Sequence, residues 1–210
     1  VGDTEIEAVD RESAYDYLVL ELSSFQLHWA KQAQFVSAAI LNIADDHLDW
    51  HGTFDAYADA KFSILDRADI AILNADDEQV VLRANRFTGR KVFFSLDTPA
   101  PGEIGVVEEL LVDRAFVADP LEAAMICELK DITPTVPHNV SNALAAAALA
   151  RTVNVSHEHI QKGLHEFKPG RHRIETVYER DSVSWINDSK ATNPHAASAS
   201  LMSHLSVIWI

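Results

Sequence analysis

Four short apolar runs, each closing on a polar side chain, set the rhythm of the first half of the chain. Tyr17-Leu-Val-Leu runs to Glu21, Ser37-Ala-Ala-Ile-Leu to Asn42, Asp69-Ile-Ala-Ile-Leu to Asn74, and Lys91-Val-Phe-Phe to Ser95. Unbroken apolar runs fit strands covered on both faces, the pattern of a parallel α/β sheet. The segments between them predict helices over Thr53 to Asp66 and Asp76 to Asn85. Polar residues at successive strand ends would line one edge, where open α/β sheets bind ligands. Glu21 and His47, the latter in the loop after Asn42, are expected to meet there. Asn and Ser at strand ends also begin turns, which suffices for Asn74 and Ser95. A carboxylate ending a buried strand needs a partner.

The pattern then changes. TPAPGEIG, from Thr98 to Gly105, reads as loop. Val106 to Val117 predicts short strands around a turn near Asp113-Arg114, and Asp119 to Cys127 a short helix, together a small β-rich attachment rather than a continuation of the main sheet. Pro134 and Pro137 precede HNVSNALAAAALAR, an alanine-rich helix for which Asn139 is a good N-cap. Asn142, three residues on, shares its face. Two amides at a helix start could read an adenine edge, and one capping Asn beside an incidental one explains them equally well. Ile174 to Tyr178 and Val183 to Ile186 predict paired strands around the turn Glu179-Arg-Asp-Ser. Asn187 to Asn193 leads into a helix with Asn193 as cap and Pro194 first. Val207-Ile-Trp-Ile predicts a further strand. The basic stretch Lys168-Pro-Gly-Arg-His-Arg marks the boundary, giving domains over 1–169 and 170–210.

Composition narrows the class. A hydrophobic content of 48% over 210 residues supplies a sizeable core. A formal net charge of −15 argues against nucleic acid or an anionic membrane as main partner. One cysteine, Cys127, excludes an internal disulfide and a cysteine-rich zinc site. No apolar stretch reaches the length of a membrane span and no signal peptide opens the chain, so an intracellular, cytoplasmic location is expected.

The densest chemistry lies in NIADDHLDWHGTFDAYADAK, Asn42 to Lys61. At roughly 100° per residue from Phe54, Lys61 falls between Phe54, Tyr57 and Leu65, with Asp55, Asp59 and Asp66 pointing elsewhere. A lysine held there loses water, and desolvation lowers a lysine pKa. A neutral amine could form a carbamate with CO2 and become an anionic metal ligand. A lysine whose stem covers the core edge is the plainer alternative. His51 is expected to shape its turn, His138 to pack at a helix start and His172 to make a secondary contact, none of them holding metal, because magnesium prefers oxygen donors. The same preference leaves His47 a water-bridged or orienting role.

NIADDHLDWHGTFDAYADAK, HNVSNALAAAALA, GRHR and NDSKATN, in this order and spacing, resemble the Mur ligases, the ATP-dependent amide-forming enzymes of peptidoglycan precursor synthesis. The HLDxHG, AK and HNxxNA elements are also similar to those of folylpolyglutamate synthases. ELSSFQL, from Glu21 to Leu27, and WINDSKATN, from Trp185 to Asn193, resemble the D-glutamate-adding branch. The resemblance implies a central, mostly parallel sheet flanked by helices with a small β attachment, then the start of a second, Rossmann-like α/β domain. It implies ATP and Mg2+ as cofactors, a monomer, and UDP-N-acetylmuramoyl-L-alanine and D-glutamate as substrates. By motif match Glu21 would hold a magnesium beside the phosphates. His47 and a carbamylated Lys61 would hold or orient a second, with Ser23 on the substrate side. Asn139 and Asn142 match adenine-contacting amides, Arg173 and Asp188 nucleotide contacts, Lys190 a group near the phosphates, and Thr192 a contact to D-glutamate.

The chain departs from the family in two places. No G-x-x-x-x-G-K-[ST] occurs in it, although the family carries that loop before the counterpart of Glu21. The sequence therefore reads as an internal fragment, itself inactive. Asp3 stands where the family often has a substrate-contacting amide. Three alternatives remain: another Mur ligase or folylpolyglutamate-synthase-like ligase, a non-catalytic ligase-like module, and, least supported, a zinc hydrolase on His47 and His51, whose turn lacks a helical H-E-x-x-H.

Overall fold

The computed structural model describes residues 15–30, 32–119 and 121–210. A six-stranded sheet runs in the order β1 (Phe35–Ile40), β2 (Ala68–Asn74), β3 (Arg90–Phe94), β4 (Ile104–Val107), β5 (Leu110–Asp113), β6 (Ala124–Glu128). The first three strands pair in parallel, with Ala39 opposite Ile72 and Ile72 opposite Val92. These are three of the four apolar runs, in the places predicted. Helices α1 (Ser24–Trp29), α2 (Leu48–His51), α3 (Phe54–Phe62) and α4 (Glu78–Ala84) complete this half. Thr53 and Asp77 cap α3 and α4 with their side chains, satisfying helix N–H groups that have no intrahelical acceptor.

β4 joins the parallel strands through one pair, Phe94 with Ile104, and β4 to β6 then run antiparallel. The β-rich piece thus extends the same sheet. A Cβ on Gly105 would lie 2.3 Å from the Asp97 carbonyl oxygen, so only glycine lets β4 approach that loop. The hairpin turns at Glu108, which takes φ 54, and not at Asp113-Arg114. Asp113 ends β5 fully buried. The helix expected over Asp119 to Cys127 is instead strand β6, because Ile126 and Cys127 bury in the core while their backbone pairs with β5.

Two further expectations fail, because neither segment finds a pairing partner among the described residues. Tyr17 to Leu20 and Val207 to Ile210 are not in strands and are exposed, and a strand is stable only where its N–H and C=O groups find a ladder. Glu21 is correspondingly exposed rather than at the end of a buried strand. Asp3 lies outside the described residues.

Helix α5 (Pro137–Thr152) crosses one face of the sheet and α6 (His157–Glu166) packs beside it. Ala143, Leu144, Ala147 and Ala148 of α5 are buried with Ile72, Val92, Phe94 and Ile104, the small side chains letting the helix lie close. The opposite face buries Ala71 and Leu73 against Ala58, Phe62, Val80 and Ala84. Successive residues of β2 therefore feed two cores, which is why its sequence does not alternate. The cap of α5 is Val136, with Pro137 first and Asn139 already inside the helix, since proline's fixed φ suits that first position. The hairpin β7 (Glu175–Arg180) and β8 (Val183–Asn187) turns at Asp181-Ser182, both at positive φ. Asn193 caps α7 (Pro194–Met202) as expected, its Oδ1 accepting the Ala196 N–H at 2.8 Å. Among the described residues no helix is long and apolar enough to cross a membrane.

Candidate functional site

A cavity of about 1090 Å³ opens at the C-terminal ends of β1 and β2, the edge where the strand-end pattern placed a ligand. Its floor includes Asn42 and Asn74, and the first turns of α5 supply His138, Asn139 and Asn142. Arg173, Asp188 and Lys190 close it from the far side, beside α7. Residues as far apart in sequence as Asn42 and Lys190 thus share one lining, and the amide and basic candidates of the sequence fall on it together.

The cavity's parts are held by specific bonds. Asn139 Nδ2 donates to the Pro134 carbonyl at 3.0 Å, which fixes the amide plane and leaves Oδ1 for a ligand. The GRHR and NDSK loops are stitched to each other. Lys190 N–H donates to the His172 carbonyl at 3.1 Å and Ile174 N–H to Asp188 Oδ1 at 3.0 Å. Asn187 Nδ2 donates to His172 Nδ1 at 2.9 Å. His172 and Ile174 both take positive φ, a costly backbone for a β-branched residue, and these bonds hold it. His172 N–H donates to Glu175 Oε2 at 2.8 Å, and that bond holds the Glu175 carboxyl below its usual range. His138 is pulled below the ordinary imidazole value by burial, against the opposing charge of Asp188.

Sequence reasoning gave His138 no ligand-site role; it lines the cavity and meets Ser203 of the α7 terminus, 3.4 Å from Nδ1 to Oγ. Asn42 and Asn74 were visible as strand ends. Asn74 also bridges loops, donating to the Leu41 carbonyl at 2.8 Å and accepting the Asp76 N–H at 2.9 Å. Ser95 begins its turn by accepting the Asp97 N–H.

Glu21, Ser23, His47 and Lys61 do not line this cavity, and Thr192 is exposed between Ala191 and Asn193, which do. His47, Lys61 and the α1 segment gather around a second, aromatic centre. His47 takes φ 52 and opens α2, its ring 5.1 Å from that of Phe25. Trp50 stands edge-on to Phe25 at 4.8 Å, and His51 packs on Tyr57 at 5.2 Å. Lys61, half-buried as the helical wheel predicts, carries Nζ 5.9 Å from the Tyr57 ring centroid. Burial lowers the His51 pKa, and the neighbouring His47, His28 and Lys61 add to the effect against Asp49. Burial raises the Tyr57 hydroxyl. Ser23 caps α1, its Oγ donating to Gln26 Oε1 at 2.9 Å and accepting the Gln26 N–H at 3.3 Å.

Among the described residues no three His, Cys, Asp or Glu side chains converge on a ready metal cage. Magnesium does not need one, since it keeps waters and takes one or two carboxylates beside phosphates. The Glu21 carboxylate is exposed and without a hydrogen bond or ion pair among the described residues, so a hard-oxygen donor is available. His47 offers nitrogen, which suits that ion only as an orienting or water-bridged group.

Comparison with known proteins adds three findings. The family model described as the Mur ligase middle domain matches residues 5–150. The chain is 50% identical to the UDP-N-acetylmuramoylalanine--D-glutamate ligase of Thermobifida fusca and 47% identical to that of Streptomyces coelicolor, in each case over 100% of this chain and 46% of the relative. The chain thus spans a little under half the length of these relatives. Among solved structures, MurF from Acinetobacter baumannii superposes with a TM-score of 0.61 at 24% identity, over 86% of this chain and 40% of that one.

Proposed function

The chain belongs to the Mur ligase family through its middle domain, and on that premise we propose that it is the central part of a cytoplasmic ligase joining D-glutamate to UDP-N-acetylmuramoyl-L-alanine at the expense of ATP. The observation that carries the reading is the shared lining of Asn139, Asn142, Arg173, Asp188 and Lys190 on one cavity, in a chain whose whole length matches ligases of that name.

In this reading residues 1–169 form the nucleotide-binding domain and residues 170–210 open the amino-acid-binding one. Asn139 and Asn142 take the adenine edge, Asn139 pre-oriented by Pro134. Arg173 and Lys190 bring positive charge to the polyphosphate, where negative charge gathers as the γ-phosphoryl group transfers. Asp188 keeps their two loops in register through Ile174. The substrate carboxylate takes the γ-phosphoryl group and releases ADP. The D-glutamate amine then attacks the acyl carbon, phosphate leaves and the amine loses a proton. Ser23 and Thr192 belong to the two substrates, Ser23 on the carboxylate side and Thr192 on the D-glutamate side. Glu21, with His47 and a carbamylated Lys61, would hold magnesium, which neutralises phosphate charge.

The test is phosphate release by the full-length protein with UDP-N-acetylmuramoyl-L-alanine, comparing D-glutamate, L-glutamate and diaminopimelate. Turnover selective for D-glutamate is expected. Selectivity for diaminopimelate, or for L-glutamate on a folate substrate, would move the protein to another ligase branch. Nucleotide binding without turnover would make it a binding module.

A further inference from the structure

The segment carrying Glu21 and Ser23 has no place in the sheet among the described residues. It leads into α1, whose C-terminal cap Ala30 accepts a hydrogen bond from Arg67 Nη1 through its carbonyl, while its N-terminal half is held separately. Leu27 and Ser24 are the buried residues of α1. Ser24 is 1% exposed, so its hydroxyl needs an internal partner. That partner is His51, with Nε2 2.9 Å from Ser24 Oγ. His51 closes the one-turn helix that His47 opens, and its N–H donates to the His47 carbonyl at 3.1 Å. The same ring packs against Tyr57 of α3, over whose ring Lys61 lies. One side-chain hydrogen bond therefore joins the strand-less Glu21–Ser23 segment to the rigid turn bearing His47 and, through Tyr57, to Lys61.

From this geometry we infer that Ser24 and His51 are positioning residues, whose hydrogen bond sets Glu21 and Ser23 against His47 and Lys61. The inference rests on the ligase reading above and deepens it. Ser24 is too buried to act as a nucleophile, and His51 Nε2 is committed to Ser24 rather than to a metal. Phe25, beside Ser24, adds the aromatic contacts to His47 and Trp50. Those contacts resist separation, but stacking alone does not fix the register of α1; Arg67 fixes its C-terminal end, and the Ser24–His51 bond is the directional contact that fixes the end next to Glu21 and Ser23.

The test uses the full-length ligase. His51→Phe keeps ring packing and removes the bond; Ser24→Ala removes it with little change in volume; His51→Gln offers a side-chain nitrogen at similar reach. Loss of the bond is expected to lower kcat and weaken activation by Mg2+ by about 10- to 100-fold, as for other groups that orient metal-site residues. The KM for ATP should stay near wild type, because the adenine-side cavity is built elsewhere. The double variant should be no worse than either single one, as partners in one interaction are non-additive, and His51→Gln should recover most of the loss. Wild-type kcat and Mg2+ response in Ser24→Ala, multiplying losses in the double variant, or a His51→Gln as impaired as His51→Phe would each overturn the inference. If His51→Phe does not fold, Ser24→Ala decides. A wild-type protein that forms no amide would sink the ligase reading instead. Hydrogen exchange then decides the inference: Ser24→Ala should deprotect the backbone of α1 relative to α5, and unchanged protection would refute it.

Discussion

His157 Nε2 lies 2.8 Å from Oδ2 of Asp113, a carboxylate with no exposed surface. The same carboxylate accepts from Arg151 Nε at 3.3 Å and, through Oδ1, from the Ala115 and Phe116 N–H groups at 2.8 Å each. Arg151 donates onward to the Val155 and Phe116 carbonyls. One buried side chain thus ties the end of β5 to the end of α5 and the start of α6. Asp113→Ala would leave Arg151 without its counter-charge and two N–H groups unpaired. A loss of about 3–5 kcal/mol is expected, the range for breaking a buried pair from one side. Asp113→Asn keeps the Oδ1 acceptor and should lose less. Urea denaturation of the 210-residue chain measures both; a loss in Asp113→Asn equal to that of Asp113→Ala would mean that the charge carries the whole effect and the Oδ1 acceptor none of it.

Acid should loosen the protein through His51 and His138. Both are held below the ordinary 6.5 by burial. In the unfolded chain they take up protons near 6.5, while in the folded state they take them up only at lower pH. The unfolded state therefore binds more protons in that window, so stability is full above about 6.5 and falls as pH drops below it. His138→Gln should flatten part of the slope in a melting temperature measured from pH 7.5 to 5.5. An unchanged slope in both His138→Gln and His51→Gln would refute the assignment.

Cys127 is fully buried, and its thiol is pushed up to about 12, chiefly by burial, with Asp131 adding to the effect. The thiolate is the reactive form. Ellman's reagent at pH 8 should leave the folded chain unmodified for as long as it stays folded and label it at once in urea. Rapid labelling of the native chain would show that β6 opens readily.

The cavity amides should matter for nucleotide binding far more than for stability. Asn142 is exposed on α5, so Asn142→Ala should leave the melting temperature nearly unchanged. It should weaken ATP binding to the full-length protein by about tenfold, the worth of one hydrogen bond of roughly 1–1.5 kcal/mol. Asn139→Ala additionally frees the Pro134 carbonyl and should cost some stability as well. Calorimetric titration with a non-hydrolysable ATP analogue separates the two, and unchanged affinity in both would move the adenine elsewhere.

ATP hydrolysis by the 210-residue chain alone is not expected even with both substrates present, because no phosphate-binding G-x-x-x-x-G-K-[ST] occurs in its sequence. Phosphate release by the purified chain would overturn that expectation.

The sequence by itself determined the elements whose stabilising partners are local or repeated. The runs at β1, β2 and β3, the cap Asn193 and the Asp181-Ser182 turn could be read directly, because burial on two faces, side-chain capping and tight turns each leave a fixed pattern of residue types. The motif strings also singled out the candidate site residues, since order and spacing are properties of the sequence alone. Tertiary structure decided whatever depends on a distant partner. Ala124 to Glu128 is a strand because β5 lies beside it, and Tyr17 to Leu20 is none because no ladder meets it among the described residues. Asn139 is inside its helix because Pro137 fixes the start. Only the folded chain could place Asn139, Asn142, Arg173, Asp188 and Lys190 on one cavity while setting His47 and Lys61 around a separate aromatic centre. Only it could show that Ser24, unremarkable in sequence, finds its partner at His51, because a hydrogen bond spanning 27 residues leaves no periodic trace.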